Sequence, residues 1–343
     1  MRTKPSDFTG GPGGHGDRSP SRTPFPPFPP VQKICSIALA LALAHSLGAA
    51  QPAPLEPSDT DALFETGRRL FELFAPPEIK AQYDFPTKER WDALVAKFKR
   101  ALEGDSVEEL ADCAREGRQA LEALRLVPGY EDLADWLEQR IDSFEGAKQT
   151  LAPKPPAPPV PPPQVYEPVP HYHLWLARVQ SRPAPARAAA LMPRLRAAFA
   201  SEGVPPELAW LAEAESSFNP AARSPVGAKG LFQFMPDTAK AMGLSTFLPD
   251  DRTDPEKSAR AAARYLRQLH GRFGNWALVL AAYNAGEGRV GRTLAQHKAT
   301  SFTAIAEKLP AETRMYVPKV CALIATRAGV APERIGPPKP AAR

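Results

Sequence analysis

Pro205-Pro206-Glu207-Leu208-Ala209-Trp210-Leu211-Ala212-Glu213-Ala214-Glu215-Ser216-Ser217-Phe218-Asn219-Pro220 is the stretch that decides how this chain is read. Proline is tolerated in a first helical turn, and the residue before a proline resists helix. A helix is therefore predicted from Pro205-Pro206-Glu207 through Ser217, with Phe218-Asn219-Pro220 ending it. Leu208, Leu211 and Ala212 mark its inward stripe at i, i+3 and i+4, and the i+7 position of that stripe is Glu215. Glu213, about 200° around the helix from Glu215, is expected to face water. A carboxyl held in an apolar wall is costly to ionise, so Glu215 should keep a usable proton near neutral pH and act as a general acid. A lone helical glutamate is ordinarily solvated or paired at the surface, and it is the sequence downstream that argues otherwise.

That downstream segment, Ser224-Pro225-Val226-Gly227-Ala228-Lys229-Gly230-Leu231-Phe232-Gln233-Phe234-Met235-Pro236, excludes a long helix and favours turns with very short strands. Asp254 and Pro255 suit the N-cap and first residue of a helix carrying Ala261, Ala262, Tyr265, Leu266 and Leu269. The run from Trp276 to Tyr283 is apolar all round, which places that helix centrally; Asn284 at its end then needs partners, because an unpaired buried amide costs about 1–3 kcal/mol. Upstream, a short helix is expected over Trp175 to Val179 and another from about Pro193 to Ser201, with Pro193 in its first turn.

Ten prolines between Ala152 and Pro170 form an extended polyproline spacer. Before it, residues 58 to 148 read as four amphipathic helices with stripes such as Trp91, Leu94, Val95, Phe98, Leu102 and Leu133, Trp136, Leu137, Ile141, Phe144. Ser106 and Glu109 form a capping-box pattern, and Pro76-Pro77 and Pro128-Gly129 supply breaks. The acidic residues of this small antiparallel bundle are expected on solvated outer faces. Lys33 and the apolar stretch from Ile34 to Gly48, ahead of Gly48-Ala49-Ala50, read as a secretory signal; at about 22 Å as a helix it is short of a bilayer core. The preceding basic prefix is long for such a signal, which suggests translation starting at Val31. The expected organisation is a disordered prefix with signal at 1–50, an acidic helical bundle at 51–150, a Pro-rich linker at 151–170, a catalytic domain at 171–330 and a flexible tail at 331–343.

The chain has 343 residues and a net charge of +5, unevenly divided: residues 51 to 170 carry 14 basic and 23 acidic side chains, residues 171 to 343 carry 24 and 13. A cationic C-terminal part suits an anionic polymer, nucleic acid or cell-wall glycan alike; export argues against nucleic acid. Cys35 lies in the signal, and Cys113 and Cys321 are read as buried free thiols. The pair His171 and His173 lacks a third ligand and is read as part of the linker, so neither a metal nor another cofactor is expected.

Four segments in order, Glu215-Ser216-Ser217-Phe218-Asn219-Pro220, the stretch from Ser224 through Ala239, Ala281-Ala282-Tyr283-Asn284-Ala285-Gly286-Glu287-Gly288-Arg289-Val290, and Leu309-Pro310-Ala311-Glu312-Thr313-Arg314-Met315-Tyr316-Val317, resemble the soluble lytic transglycosylase (SLT) domain. The lead-in from Trp175 and the ending near Tyr316 are similar to the membrane-bound type D branch. The resemblance covers about residues 172 to 328 and leaves out the N-terminal bundle. It implies a mainly α, lysozyme-like fold with a cleft for peptidoglycan glycan strands, and it carries the catalytic acid/base onto Glu215. It also implies a cleft lined by Ser216, Ser224, Gln233, Met235, Tyr283, Asn284 and Tyr316. Beside that, Ser224 and Gln233 offer hydrogen bonds to acetamido groups, Tyr283 and Phe234 offer aromatic faces, and the Tyr316 hydroxyl could orient the Glu215 carboxyl.

Ordinary glycosidases use two carboxylates. Glu213 is excluded by its helical face, Asp237 reads as a helix-start residue and Glu287 as a turn residue. A single carboxylate fits the family's chemistry, in which the muramyl C6 hydroxyl replaces water and 1,6-anhydro ends form. The alternatives are a goose-type lysozyme-like muramidase using water and a non-catalytic wall-binding scaffold; a cell-envelope protein as partner of the bundle belongs with the second. Exported, periplasmic or cell-envelope location is the corresponding expectation.

Overall fold

A computed structural model describes residues 87–125, 131–153, 168–224 and 227–340, with isolated positions between 64 and 77. The prefix, the apolar stretch 34–48, most of the first bundle helix and the centre of the proline spacer lie outside the described residues. Among those described, the secondary structure is helical apart from turns and two isolated bridges, Arg223 with Lys229 and Lys229 with Phe234, which matches the mainly α expectation. None of the described helices is long and apolar enough to cross a membrane.

Three N-terminal helices are described: α1 (Lys88–Glu103), α2 (Val107–Leu124) and α3 (Glu131–Leu151). Ser106 caps α2, its hydroxyl accepting the Glu109 N–H at 3.1 Å. The predicted stripes are inward: Phe98, Leu110, Leu121, Leu137, Ile141 and Phe144 are buried. Helices α4 (Tyr172–Gln180) and α5 (Ala186–Ser201) follow. His173 lies inside α4 and His171 precedes it with φ 65°, so the pair belongs to a helix start and not to the linker. Helix α5 begins seven residues before Pro193 and carries that proline in its interior. The first turns, Ala186 to Ala190, bury only the small Ala188 on the stripe of Leu191, Met192 and Leu195, so periodicity does not mark where this helix begins.

The Glu215 segment is a 3-10 turn, Pro206–Trp210, continuing into α6 (Leu211–Ser216). After it come α7 (Pro236–Ala241), α8 (Pro255–Phe273), α9 (Trp276–Ala285), α10 (Glu287–His297), α11 (Phe302–Ile305) and α12 (Ala311–Ala328). Asp254 caps α8 as predicted, accepting from the N–H groups of Glu256 and Lys257 at 2.9 Å each. Glu287 opens α10 instead of sitting in a turn, where its carboxylate favours the helix N-terminus and pairs with Arg272 at 3.1 Å.

Helix α12 runs through the middle of the molecule, packed on α1, α2, α3, α4, α6 and α9. Every residue from Met315 to Ile324 is buried, Pro318 included. One continuous apolar core therefore joins the N-terminal helices to the rest, from Phe98 to Ile335. Residues 331–340, expected as a flexible tail, carry backbone and side-chain bonds: Lys339 N–H donates to the Gly203 carbonyl at 2.7 Å, and Trp276 Nε1 donates to the Gly336 carbonyl at 2.9 Å. Cys113 and Cys321 are buried free thiols, and burial pushes both to a pKa of about 12.

Candidate active site

Leu208, Leu211 and Ala212 are fully buried, and the stripe they define carries Glu215 inward with only 6 % of its surface exposed. Helix α6 stops directly after it: Ser217 and Phe218 both adopt left-handed conformations, φ 49° and 60°, which are strained for residues with a Cβ. Phe218 is fully buried and its N–H donates to the Ala212 carbonyl at 3.2 Å, so packing holds that turn in place.

The Tyr316 hydroxyl, from α12, donates to Glu215 Oε1. Burial raises the Glu215 pKa to about 7; the positive charge of Arg140 and the Tyr316 bond oppose that rise, the carboxylate of Glu312 adds to it and Lys319 opposes it. Tyr316 and Tyr283 are themselves pushed well above the usual phenol value, first by burial and then by the Glu215 charge, so both remain proton donors. The site thus holds a carboxyl poised between its two protonation states near neutrality, with a fixed donor on one oxygen.

Glu213 does not face water. Its carboxylate pairs with Arg327 Nη2 at 3.0 Å, with side chains only 12 % and 10 % exposed, because α12 covers the face that an isolated helix would have left open. The partner lies far along the chain, beyond the reach of helical periodicity. Asp142 is likewise buried, not on an outer face, and faces Lys319 and Arg178 at 3.0 and 2.7 Å. Asp237 sits in the first turn of α7 as expected.

The turn segment after Ser224 forms a wall tied to the acid helix. Ser216 Oγ, fully buried, donates to the Leu231 carbonyl at 2.9 Å, and the Tyr283 hydroxyl donates to the Phe232 carbonyl at 2.8 Å. Ser224 Oγ accepts the Ala228 N–H at 2.9 Å, closing the loop. Ser216 and Tyr283 thus spend their hydroxyl protons on protein carbonyls, whereas Ser224 only accepts. Gln233 differs: its Nε2 donates to the carbonyls of Ala222 and Gly230 at 3.2 and 2.9 Å, while Oε1 is buried without a partner and the backbone is left-handed at φ 46°. Phe232 is core, Phe234 is nearly so and packs edge-on against Tyr283, and Met235 is 42 % exposed. Asn284 has the partner its position demands, accepting from Thr313 Oγ1 at 2.7 Å.

Several residues that shape the site carried no local signal. Arg252 is buried and reaches from Asp250 Oδ2, at 2.8 Å, to the carbonyls of Gly227 and Phe234 at 2.9 and 3.1 Å, bracing the turn wall. Asp250 also pairs with Lys229; burial opposes its ionisation, but Arg252 and Lys229 hold its pKa down at about 2. Arg140 and Lys319 approach Glu215 from α3 and α12. A cavity of about 1110 Å³ opens on the other side of α6, lined by Asp135, Gln139, Asp142, Arg178, Glu213 and Ser217 among others. Glu215 does not line it, and its charged walls are mutually paired.

Residues 194–305 match the family described as Transglycosylase SLT domain. Membrane-bound lytic murein transglycosylase D of Escherichia coli (strain K12) is 41% identical over 126 residues, 35% of this chain and 27% of that protein. Soluble lytic murein transglycosylase of Salmonella typhimurium is 41% identical over 121 residues, 33% of this chain and 19% of that protein. Among solved structures, the 70 kDa soluble lytic transglycosylase of Escherichia coli aligns with a TM-score of 0.37 at 19% identity, covering 82% of this chain and 59% of that one. The chain carries an SLT domain, and spans about a quarter or less of the length of these curated relatives.

Proposed function

We propose that this chain, as the bearer of an SLT domain, is a peptidoglycan lytic transglycosylase. It would cleave the β-1,4 bond between N-acetylmuramic acid and N-acetylglucosamine and leave 1,6-anhydro-muramyl ends, in the cell envelope after export. The observation that carries this reading is the buried Glu215 carboxyl with a pKa of about 7, held by Tyr316. Half-protonated near neutrality, it can give a proton to the glycosidic oxygen and, once ionised, take one back. In the second step it removes the proton from the C6 hydroxyl as that oxygen closes on C1, while the substrate's acetamido group shields the developing cation. No water enters or leaves, and the nucleophile resides on the reacting sugar, which exploits proximity.

Two-carboxylate hydrolysis is less well supported. Glu213 is bound to Arg327, Glu312 to Arg140 and Glu287 to Arg272, so the neighbouring carboxylates described have basic partners of their own. For substrate contacts, Gln233 Oε1, buried without a partner, is an acceptor suited to an acetamido N–H, and the resemblance adds Met235, Tyr283 and Asn284 to the cleft. Ser216 serves this cleft by bracing its wall, since its proton is spent on the Leu231 carbonyl, while Ser224 closes the loop as an acceptor.

Mass spectrometry of products from purified peptidoglycan tests the reading. Anhydro products, lighter by one water than hydrolytic ones, are expected, and Glu215→Gln should release none while still binding sacculi. Products carrying the added water would replace this reaction with a muramidase.

A further inference from the structure

The first turn of α12 hangs from the N-terminal helices. Ala311 N–H donates to the Gly104 carbonyl at 2.8 Å, and Arg314 Nη1 donates to the Asp105 carbonyl at 3.1 Å. Between these, Glu312 is paired with Arg140 of α3, both side chains largely buried at 15 % and 18 % exposure. The Arg140 guanidinium lies 5.6 Å from the ring of Trp136, one turn earlier on the same helix, which limits its freedom. Glu312 and Tyr316 are i and i+4 on α12 and share a face. The chain of contact therefore runs from Arg140 to Glu312, one turn along α12 to Tyr316, and on to Glu215. Both Arg140 and the α12 residues lie outside the matched segment 194–305.

We propose that Arg140 is a positioning residue of the acid site: by clamping Glu312 it fixes the α12 turn that presents the Tyr316 hydroxyl to Glu215. The N-terminal helices are then part of the catalytic architecture, and in its kinetic consequences the proposal rests on the transglycosylase reading.

The electrostatics give the two partners different signatures. The charged or titratable groups facing Glu215 are Arg140 from α3, Glu312, Tyr316 and Lys319 from α12 and Tyr283 from α9, with Asp142 of α3 behind Lys319. Arg140→Gln removes a cation and leaves the Glu312 charge uncompensated, both of which favour protonated Glu215. Glu312→Gln removes the anion, which favours the carboxylate, but also frees the α12 turn that presents Tyr316, which disfavours it.

The test is a direct titration of the Glu215 carboxyl in the full chain by infrared difference spectroscopy with ¹³C-labelled glutamate, the band assigned by its loss in Glu215→Gln. An upward shift of about one pH unit is expected in Arg140→Gln, where the lost cation and the released Tyr316 act together, and a smaller change in Glu312→Gln, where they oppose each other. No shift in Arg140→Gln, or a downward one, would overturn the proposal. In turnover, Arg140→Gln should lower kcat about tenfold or more at little change in KM, and that loss should vanish in a Tyr316→Phe background. Additive losses would reject the route through Tyr316. If Arg140→Gln fails to fold, Glu312→Gln and Arg140→Lys, which keeps the charge without the fork, decide the matter. A parent that titrates as stated but releases no anhydro products would sink the proposed reaction and leave the positioning role standing.

Discussion

Glu215 is ionised at neutral pH only at a cost to the fold, because its folded pKa lies at about 7 against an ordinary 4.5. A carboxyl with a raised folded pKa binds its proton more tightly in the native state, so stability declines as pH rises from about 4.5 through 7 and levels off above. Glu215→Gln keeps the shape and the acceptor for Tyr316 but has no charge to bury. Chemical denaturation should therefore find the variant equal to the parent near pH 4 and more stable at pH 8, by up to about 3 kcal/mol at roughly 1.4 kcal/mol per pKa unit. A variant less stable at both pH values would mean that the carboxyl is solvated, and the acid assignment would lose its physical basis. The same residue shows the limit of helical geometry: the face of Glu215 was legible from three apolar neighbours, whereas the surroundings of Glu213 depended on Arg327.

Among elements, the α6 stripe, the Asp254 cap, the apolar α9 and the turn-rich segment after Ser224 were all readable, because periodicity, capping chemistry and glycine content are local properties. Helix α12 was not, since Pro318 looks like a break and its buried polar members Thr313 and Lys319 conceal an otherwise apolar run. Nor could the sequence announce that the turn wall is braced by Arg252, whose bonds reach carbonyls 25 and 18 residues away. That bracing explains Gly230. Its φ is +81° and a Cβ there would stand 1.8 Å from the Arg252 carbonyl oxygen, a backbone atom that cannot step aside. Gly230→Ala should cost about 3 kcal/mol or more and depress activity through the Ser216 and Tyr283 anchors of the wall. Thermal unfolding read beside muropeptide release checks it, and a neutral substitution would show that Arg252 is not a fixed strut.

At the scale of the whole molecule, the seam between the N-terminal helices and α12 is ionic. Asp142 of α3, buried at 7 % exposure, faces Lys319 at 3.0 Å and the guanidinium groups of Arg178 and Arg182 at 2.7 and 3.1 Å. Burial opposes its ionisation, yet Lys319, Arg182 and Arg178 together hold its pKa well below the usual carboxylate range. Its stabilising contribution is thus complete above about 3.8 and fades as the medium acidifies below that, the reverse of Glu215. The parent chain should then lose stability on both sides of a window near pH 4, Glu215 contributing the alkaline limb and Asp142, with Asp250, the acid one. Asp142→Asn removes its share of the acid limb and leaves Lys319 buried without a counter-ion, bonded to Gln139, at a cost of about 3–5 kcal/mol near neutrality. Burial already lowers the Lys319 pKa and Asp142 is what raises it, so the variant's lysine releases its proton more readily. Its stability should recover as pH climbs toward 10.5, where the unfolded chain would still hold that proton and the folded one would not. Denaturation of Asp142→Asn across pH 3 to 10 separates the cases: a flat alkaline limb would show Lys319 to be hydrated, and the seam would then owe its cohesion to the apolar core alone.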